Sequence, residues 1–203
     1  MAGTPDNFDG TKVVIGPGKA YADLVIPGHG GRLIVDPTTL TPDAGQNPDA
    51  KHIGYTREGV EVSVRPEVTR FFGDESPFPI LSRVQQEIVA ISGEILQVAD
   101  FDLLEILMPT ATRSTISGID GIHFGGSGIL NYTSVAVIAP LEEDPTRVWV
   151  AHLYKAFNDQ GLAAKVTRTA LAGSPFAFQG EAISTRPAGD QLGVLFKTLV
   201  AGS

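Results

Sequence analysis

The stretch IGYTREGVEVSVR, residues 53–65, carries the clearest structural signal in the chain. After a turn at 56–59, valines alternate with polar residues along 60–65. This period of two predicts a β-strand with one buried and one solvent-facing side. Because Pro66 cannot donate a ladder hydrogen bond, we expect it to end this strand or to place it at a sheet edge.

The rest of the chain has a similar strand-and-turn character. Further strands are predicted at 20–26, 88–99, 129–139, 147–157, 162–169, 176–185 and 194–200, with a bend at 92–93 and turns at 117–121, 142–146, 158–161 and 187–190. The strand at 147–157 is apolar on both faces. A strand spacing of about 10–15 residues predicts a mainly β fold, a β-sandwich or barrel, in one domain over 1–203.

Residues 100–108, with the sequence DFDLLEILM, form the best predicted helix. Asp102 and Glu105 have the spacing of a capping box, and Pro109 is expected to end the helix. An amphipathic helix in a β domain usually covers one face of the sheet, so we expect this helix to pack there.

An irregular span at 27–50 separates the first two predicted strands. It contains four prolines and four glycines, and only 32–35 has the character of a short strand. A loop of this length is uncommon in a compact domain unless it binds something or is disordered. The span is therefore predicted to be an extended arm or loop that makes contacts.

Composition and charge exclude several classes of function. The chain has no cysteine, which excludes disulfides, thiolate metal sites and a thiol nucleophile. Fifteen Lys and Arg against 23 Asp and Glu give a net charge of −8, which argues against a protein that holds nucleic acid tightly. Neither a secretory signal at 1–20 nor a membrane-spanning run is expected.

The stretch HFGGSGILNYTSVAVIAP, residues 123–140, has the glycine content of a phosphate-binding loop. A Walker loop needs a lysine after its glycines, and none lies between Lys51 and Lys155. A dinucleotide fingerprint and a nucleophile elbow both need a helix at this point, whereas strand-like residues follow here. The glycines are therefore predicted to form a turn that leads into a strand, and no cofactor is expected.

The sequence shows no compact catalytic or metal-binding motif. The histidines are His29, His52, His123 and His152. None has a metal-ligand spacing, and the one at 152 lies mid-strand, where a structural role is expected. The acidic clusters at 74–75 and 142–144 fall in proline-flanked turns, where carboxylates are usually solvated. We therefore predict that the chain is not an enzyme and holds no metal.

Four segments, taken in their order along the chain, resemble one protein family. They are GTKVVIGPG at 10–18, HIGYTREG at 52–59 with the strand behind it, the strand-to-helix step at 88–109, and the strand pair 135–140 and 147–157 with RPAGDQLG at 186–193. Together they cover about residues 10–200 and are similar to the major tail tube proteins of long-tailed bacteriophages.

The resemblance implies a β-sandwich-like subunit with one helix. Six subunits would form a ring with their inner sheets joined into a continuous barrel, and rings would stack into a hollow tube. DNA would pass through the lumen, which holds a tape-measure protein during assembly. A tail terminator and baseplate or tip proteins would be further partners. The protein would be assembled in the host cytoplasm and would reside in the virion tail.

The resemblance also implies roles for individual residues. The span 27–50 would bridge subunits or rings, and its contact candidates are Arg32, Asp36, Asp43 and Asp49. The lumen-facing candidates are Glu61, Ser63, Arg65, Glu87 and Glu94. An acidic lumen would repel phosphates and let DNA slide.

Two alternatives stay open from the sequence. Another virion component, such as a tail terminator or a capsid decoration protein, would form one ring or dock on a shell without making long tubes. A hydrolase would need an active site assembled from residues that are distant in the sequence.

Overall fold

The computed structural model describes residues 18–26, 33–36, 38–72, 78–96, 100–125, 128–141, 147–163 and 173–199. Within these ranges the chain is mainly β, with a large antiparallel sheet and one short helix, as the strand-and-turn pattern predicts. The elements are β1 Lys19–Ala22, β2 Lys51–His52, β3 Thr56–Phe72, β4 Pro79–Ile95, α1 Phe101–Leu107, β5 Thr112–Ile116, β6 Ile119–His123, β7 Thr133–Pro140, β8 Arg147–Asn158, β9 Ser174–Gly180 and β10 Gly193–Leu199.

The large sheet has the order β2-β1-β7-β8-β9-β4-β3 and forks at β8. One edge of β8 pairs with β7 along most of its length. On the other edge, β10 pairs with 147–153 and β9 pairs with 156–158. The fork therefore separates β10 from β9 and from the β3–β4 hairpin that follows β9 in the sheet.

One face of this sheet packs against α1, which confirms the predicted position of the helix. The buried residues of this face and of the helix are Ala20, Ala22, Ile53, Ile91, Ile95, Leu103, Leu107, Val135, Val137, Ala151, Leu153, Ala156, Phe176 and Phe178. Val135 and Val137 lie on this face because successive residues of β7 point to opposite sides of the sheet. The helix thus closes a core that spans five strands.

The opposite face of the sheet is also buried, and the irregular span covers it. The buried residues here are Tyr21, Leu24, Leu33, Val35, Leu40, Ala136, Ile138, Val148 and Val150. The Tyr21 hydroxyl donates to the Leu40 carbonyl at 3.0 Å, and the Val25 N–H donates to Asn47 Oδ1 at 2.7 Å. The described residues of 27–50 therefore pack on the sheet, which explains why β8 is apolar on both faces.

The N-terminus of α1 differs from the predicted capping box. Asp100 is the N-cap, with extended backbone, and its Oδ1 accepts from the Asp102 N–H at 3.0 Å. Asp102 is instead the acidic residue of the first turn, where a negative charge complements the exposed N–H groups. The prediction of a cap with Asp102 paired to Glu105 is wrong, because the Asp100 side chain already accepts from the Asp102 N–H that Glu105 would have reached.

The strands β3 and β4 form a hairpin of 17 residues on each side, longer than either predicted strand. β3 continues through Pro66 to Phe72 and lies at the sheet edge, where a residue without an N–H is tolerated. The predicted bend at 92–93 does not interrupt β4, which continues through Gly93, although the pairing with β3 shifts register here. A Cβ on Gly93 would lie 3.0 Å from the Phe176 ring and from the Gly59 carbonyl, so this glycine permits close packing.

Several predictions have other outcomes or lie outside the described residues. The hairpin β5–β6 was not predicted beyond its turn, which Ser117 and Gly118 form with positive φ. β7 begins at Thr133 rather than at 129, and β9 ends at Gly180 rather than at 185. The predicted turn at 142–146, most of the strand at 162–169 and the segment 10–17 lie outside the described part of the chain.

Asn158, at the end of β8, joins three parts of the fold through one buried amide. Its Nδ2 donates to the Leu107 carbonyl at 2.8 Å and to the Gly161 carbonyl at 2.9 Å, and its Oδ1 accepts from the Ala177 N–H at 2.9 Å. The side chain is 1% exposed. It therefore fixes the C-terminus of α1 and the middle of β9 onto β8.

We predict that Asn158→Ala lowers the free energy of unfolding by about 3 kcal/mol, because it leaves buried carbonyl and N–H groups without partners. Urea unfolding followed by circular dichroism measures this loss. Asn131→Ala is the matched control, since Asn131 is exposed and its Nδ2 makes a single bond to the Ala111 carbonyl. A loss for Asn158→Ala no larger than for the control would contradict the structural role of the buried amide.

Candidate functional site

The outer part of the β3–β4 hairpin stands apart from the rest of the fold. β9 pairs with β4 only at 90–95, so among the described strands the residues before this point pair with β3 alone. We call residues 66–72 and 78–84, beyond the root of the hairpin, the distal ribbon. A two-stranded hairpin on its own is marginally stable in water, so a further surface that covers this ribbon would stabilise it.

The distal ribbon exposes an unusual amount of apolar side chain. Its exposed large hydrophobic residues, 45% to 74% exposed, are Val68, Phe71, Phe72, Phe78, Ile80, Leu81 and Val84. Large apolar side chains that are gathered on one element in this way, rather than scattered singly over the surface, are typical of a site that binds another molecule.

Both faces of the distal ribbon are apolar. Residues directly opposite in an antiparallel pair share a face, and Val68 pairs with Val84 while Phe71 pairs with Leu81. Val68 and Phe71 are three positions apart on an uninterrupted stretch of strand, so the two pairs lie on opposite faces. A partner that buries the ribbon must therefore cover it from both sides.

The structure places all five lumen-facing candidates on this hairpin but not on one face. Ile91 is buried on the helix-covered face, and alternation puts Glu87 on the same face of β4. Glu94 lies on the opposite face, where it forms an ion pair with Arg57 at 3.0 Å. The candidates that share this outward face of the hairpin are Glu61, Ser63, Arg65 and Glu94.

The outward face of the hairpin carries mixed charge. The guanidinium of Arg57 contacts Glu94, and Arg65 lies between Glu61 and Glu67 along β3. Glu67 accepts a hydrogen bond from Gln86 Nε2 at 2.8 Å. Because cations and carboxylates alternate, this face by itself would not supply the acidic lumen that the resemblance implies.

The contact candidates in the span 27–50 mostly serve its local turns. Asp36 Oδ1 accepts from the Thr38 N–H at 2.8 Å, and this bond and that of Thr39 lower the pKa of the Asp36 carboxyl. Asp43 Oδ1 accepts from the Gln46 N–H at 3.1 Å. Asp49 is exposed, and Arg32 lies outside the described residues. Their bridging role stays a prediction.

An apolar groove of about 630 Å³ lies in the fork of the sheet. One wall is the root of the β3–β4 hairpin, with Val62, Val64 and Val89, and the other is β10 with the segment before it, with Leu192 and Leu195. Polar residues at 85–87 stand at its rim. We call this the fork groove. Sequence reasoning did not find it, because its two walls are more than 100 residues apart.

A second surface with chemical interest is a Ser–His pair on the β5–β6 hairpin. Ser114 Oγ and His123 Nε2 lie 2.7 Å apart; Ser114 is half-buried and His123 is exposed. The nearby carboxylate of Asp120 bonds to Arg113 and Thr115 on the other face of the hairpin. The described residues thus give this pair no orienting carboxylate, and water has free access, so the geometry lacks what activates a serine nucleophile.

The buried side chain of His152 has a strongly lowered pKa and a structural role. It is 6% exposed, its Nε2 lies 3.2 Å from the Leu24 carbonyl, and its ring packs edge-on against Tyr154. Nδ1 has no hydrogen-bond partner among the described residues. Burial lowers the pKa of His152 to about 4, so the ring is neutral at physiological pH and serves the core, as its mid-strand position predicts.

Metal and membrane sites are not found in the described ranges. No group of three or more His, Asp or Glu residues there could hold a metal ion. The helices in this part of the chain include none with the length and apolarity that crossing a bilayer requires. Comparison with protein-family models and with curated proteins finds no match to this chain.

We predict that His152 contributes to acid unfolding. Its folded pKa of about 4 lies below the unfolded value near 6.5, so the unfolded state binds more protons between these values. The contribution is complete above pH 6.5 and falls by about 3 kcal/mol as the pH drops to 4. Urea unfolding of the wild type and of His152→Gln, measured from pH 4 to 7, should show a shallower decline for the variant.

His123→Gln is the control for this measurement, because His123 is an exposed histidine on a separate hairpin. It should retain the full decline of the wild type, since carboxylates titrate equally in both. Equal pH slopes for the wild type and His152→Gln would show that this ring does not drive the acid loss.

Proposed function

We propose that the chain is a structural subunit that assembles with copies of itself into hexameric rings, which stack into a hollow tube like the phage tail tubes whose proteins it resembles. The observation that supports this most directly is the distal ribbon. It exposes large apolar side chains on both of its faces, as expected of a surface that another molecule covers.

Self-assembly agrees with the way the chain exposes this surface. A two-stranded ribbon with two apolar faces favours aggregation unless a defined partner covers it. The ribbon also carries Pro66 and charged residues at 67, 70 and 83, which disfavour indiscriminate strand pairing. Apolar side chains together with protected strand edges favour one specific partner surface, and a repeated copy of the chain supplies one in every subunit.

The outward face of the hairpin suits passage of DNA rather than retention. Salt-dependent binding of DNA needs a surplus of cations, which this face lacks. In the proposed tube, Glu61, Ser63, Arg65 and Glu94 would face the lumen, and DNA would pass without a lasting contact. The proposal also takes the tape-measure protein, a tail terminator and tip or baseplate proteins as partners, and the virion tail as the location.

We predict that the double variant Phe71→Asp/Leu81→Asp stays monomeric under conditions in which the wild type forms tubes. These residues are direct cross-strand partners and about half exposed, so the charges should leave the fold intact while desolvation opposes assembly. Negative-stain microscopy and sedimentation velocity measure the outcome, and circular dichroism checks the fold.

The swap Phe71→Leu/Leu81→Phe is the matched control, because it keeps the same apolar pair at the same positions and should still give tubes. A wild type that stays monomeric at high concentration, or a double aspartate variant that forms normal tubes, would refute the proposed function.

A further inference from the structure

We propose that the fork groove is the seat for the distal ribbon of a second copy of the chain. This inference rests on the proposed self-assembly and names the surface that accepts the ribbon. It connects two apolar features of the described structure, the exposed ribbon and the fork groove. Both features occur in every subunit, so each copy would offer one ribbon and accept another.

The lining of the groove suits a ribbon with two apolar faces. The groove has apolar residues on both sides, Val62, Val64 and Val89 on the hairpin root and Leu192 and Leu195 in β10 and the segment before it. Leu195 lines the groove and is nevertheless 55% exposed. A ribbon that enters between the walls would cover Phe71 and Leu81 on one face and Val68 and Val84 on the other.

The ribbon cannot reach the groove of its own chain. Its root forms one wall of that groove, and eight residues of continuous strand separate Val64 from Phe72. At about 3.3 Å per residue, the far end lies about 26 Å from the groove. The antiparallel pairing with β4 continues along this length, so the ribbon does not fold back. The contact must therefore be intermolecular.

Charge also favours this pairing. Arg70 is exposed on the distal ribbon between Val68 and Phe72, while Glu87 stands at the rim of the groove. A ribbon in the groove would bring cationic and acidic side chains to the same rim. Such a pairing would fix the orientation of the ribbon more than it would strengthen binding.

A ribbon-to-groove contact is heterologous, since each copy uses two different surfaces. Such a contact closes into a ring when the rotation per subunit divides a full turn, and otherwise continues as a helix. A self-complementary dimer would leave neither surface for a third copy. This geometry therefore distinguishes a growing assembly from a closed pair.

The absence of cysteine allows a direct test by disulfide cross-linking. Phe72→Cys on the ribbon and Leu195→Cys in the groove change residues that are 60% and 55% exposed, so both variants should fold. When the two purified variants are mixed and oxidised, we expect a cross-linked heterodimer as the main product. The double variant should give a ladder of higher oligomers on a non-reducing gel.

Ile116→Cys is the control acceptor, because Ile116 is 67% exposed but lies on the β5–β6 hairpin, away from the groove. Its mixture with Phe72→Cys should cross-link at least tenfold more slowly than the groove mixture. Equal rates for the two acceptors would overturn the assignment of the groove.

A second variant separates this inference from the proposed function. Leu195→Arg places a charge in the groove and should prevent tubes, yet it should still bind as a ribbon donor to Phe71→Asp/Leu81→Asp, which retains an intact groove. The mixture should give 1:1 pairs without longer species. Normal tubes from Leu195→Arg would refute the groove as the seat while leaving self-assembly standing, whereas a wild type that never assembles would refute both.

Discussion

Burial of β8 on both of its faces is the constraint on which the rest of the structure depends. One face packs against α1 and the hairpin root, and the other packs beneath the irregular span. The strand also pairs with β7, β10 and β9, and Asn158 ties its end to the helix. A strand buried on both faces loses most of its solvent contact, so every neighbouring element must lie close to it.

This constraint explains which parts of the fold the sequence predicts. The alternation at 60–65 and the doubly apolar run at 147–157 reflect local burial, so their strands were predicted correctly. The helix at 101–107 was predicted for the same reason, because its apolar side faces the core. Its predicted cap was wrong, since either Asp100 or Asp102 could serve as the N-cap by residue type alone, and the structure uses Asp100.

Other features could not be predicted because they depend on contacts between distant residues. The residues at 66–72 show no simple alternation, and a proline interrupts them, yet pairing with β4 keeps them extended. The fork groove needs β10 beside the hairpin root, which only the strand order decides. The Ser114–His123 contact likewise depends on how β5 and β6 pair, because this pairing puts the two side chains on one face of the hairpin. Of the candidate site, the sequence thus predicts the polar residues of β3 but not the apolar ribbon that extends beyond them.

The compact body buries its apolar residues, whereas the distal ribbon exposes residues of the same kind. This contrast supports the proposed assembly rather than catalysis. The body buries its apolar residues on two faces and encloses His152 in a neutral state. The ribbon leaves residues of the same kind in water, where they reduce the stability of the monomer relative to any state that covers them. A free energy gain from burying them is available only when a second molecule binds. In the proposed contact, the surface lies at one end of the hairpin and the groove lies at its root, so successive molecules would bind in the same orientation without the first pair blocking the next. Under this proposal, the same chain would fold as a single subunit and still gain free energy from joining a repeating assembly.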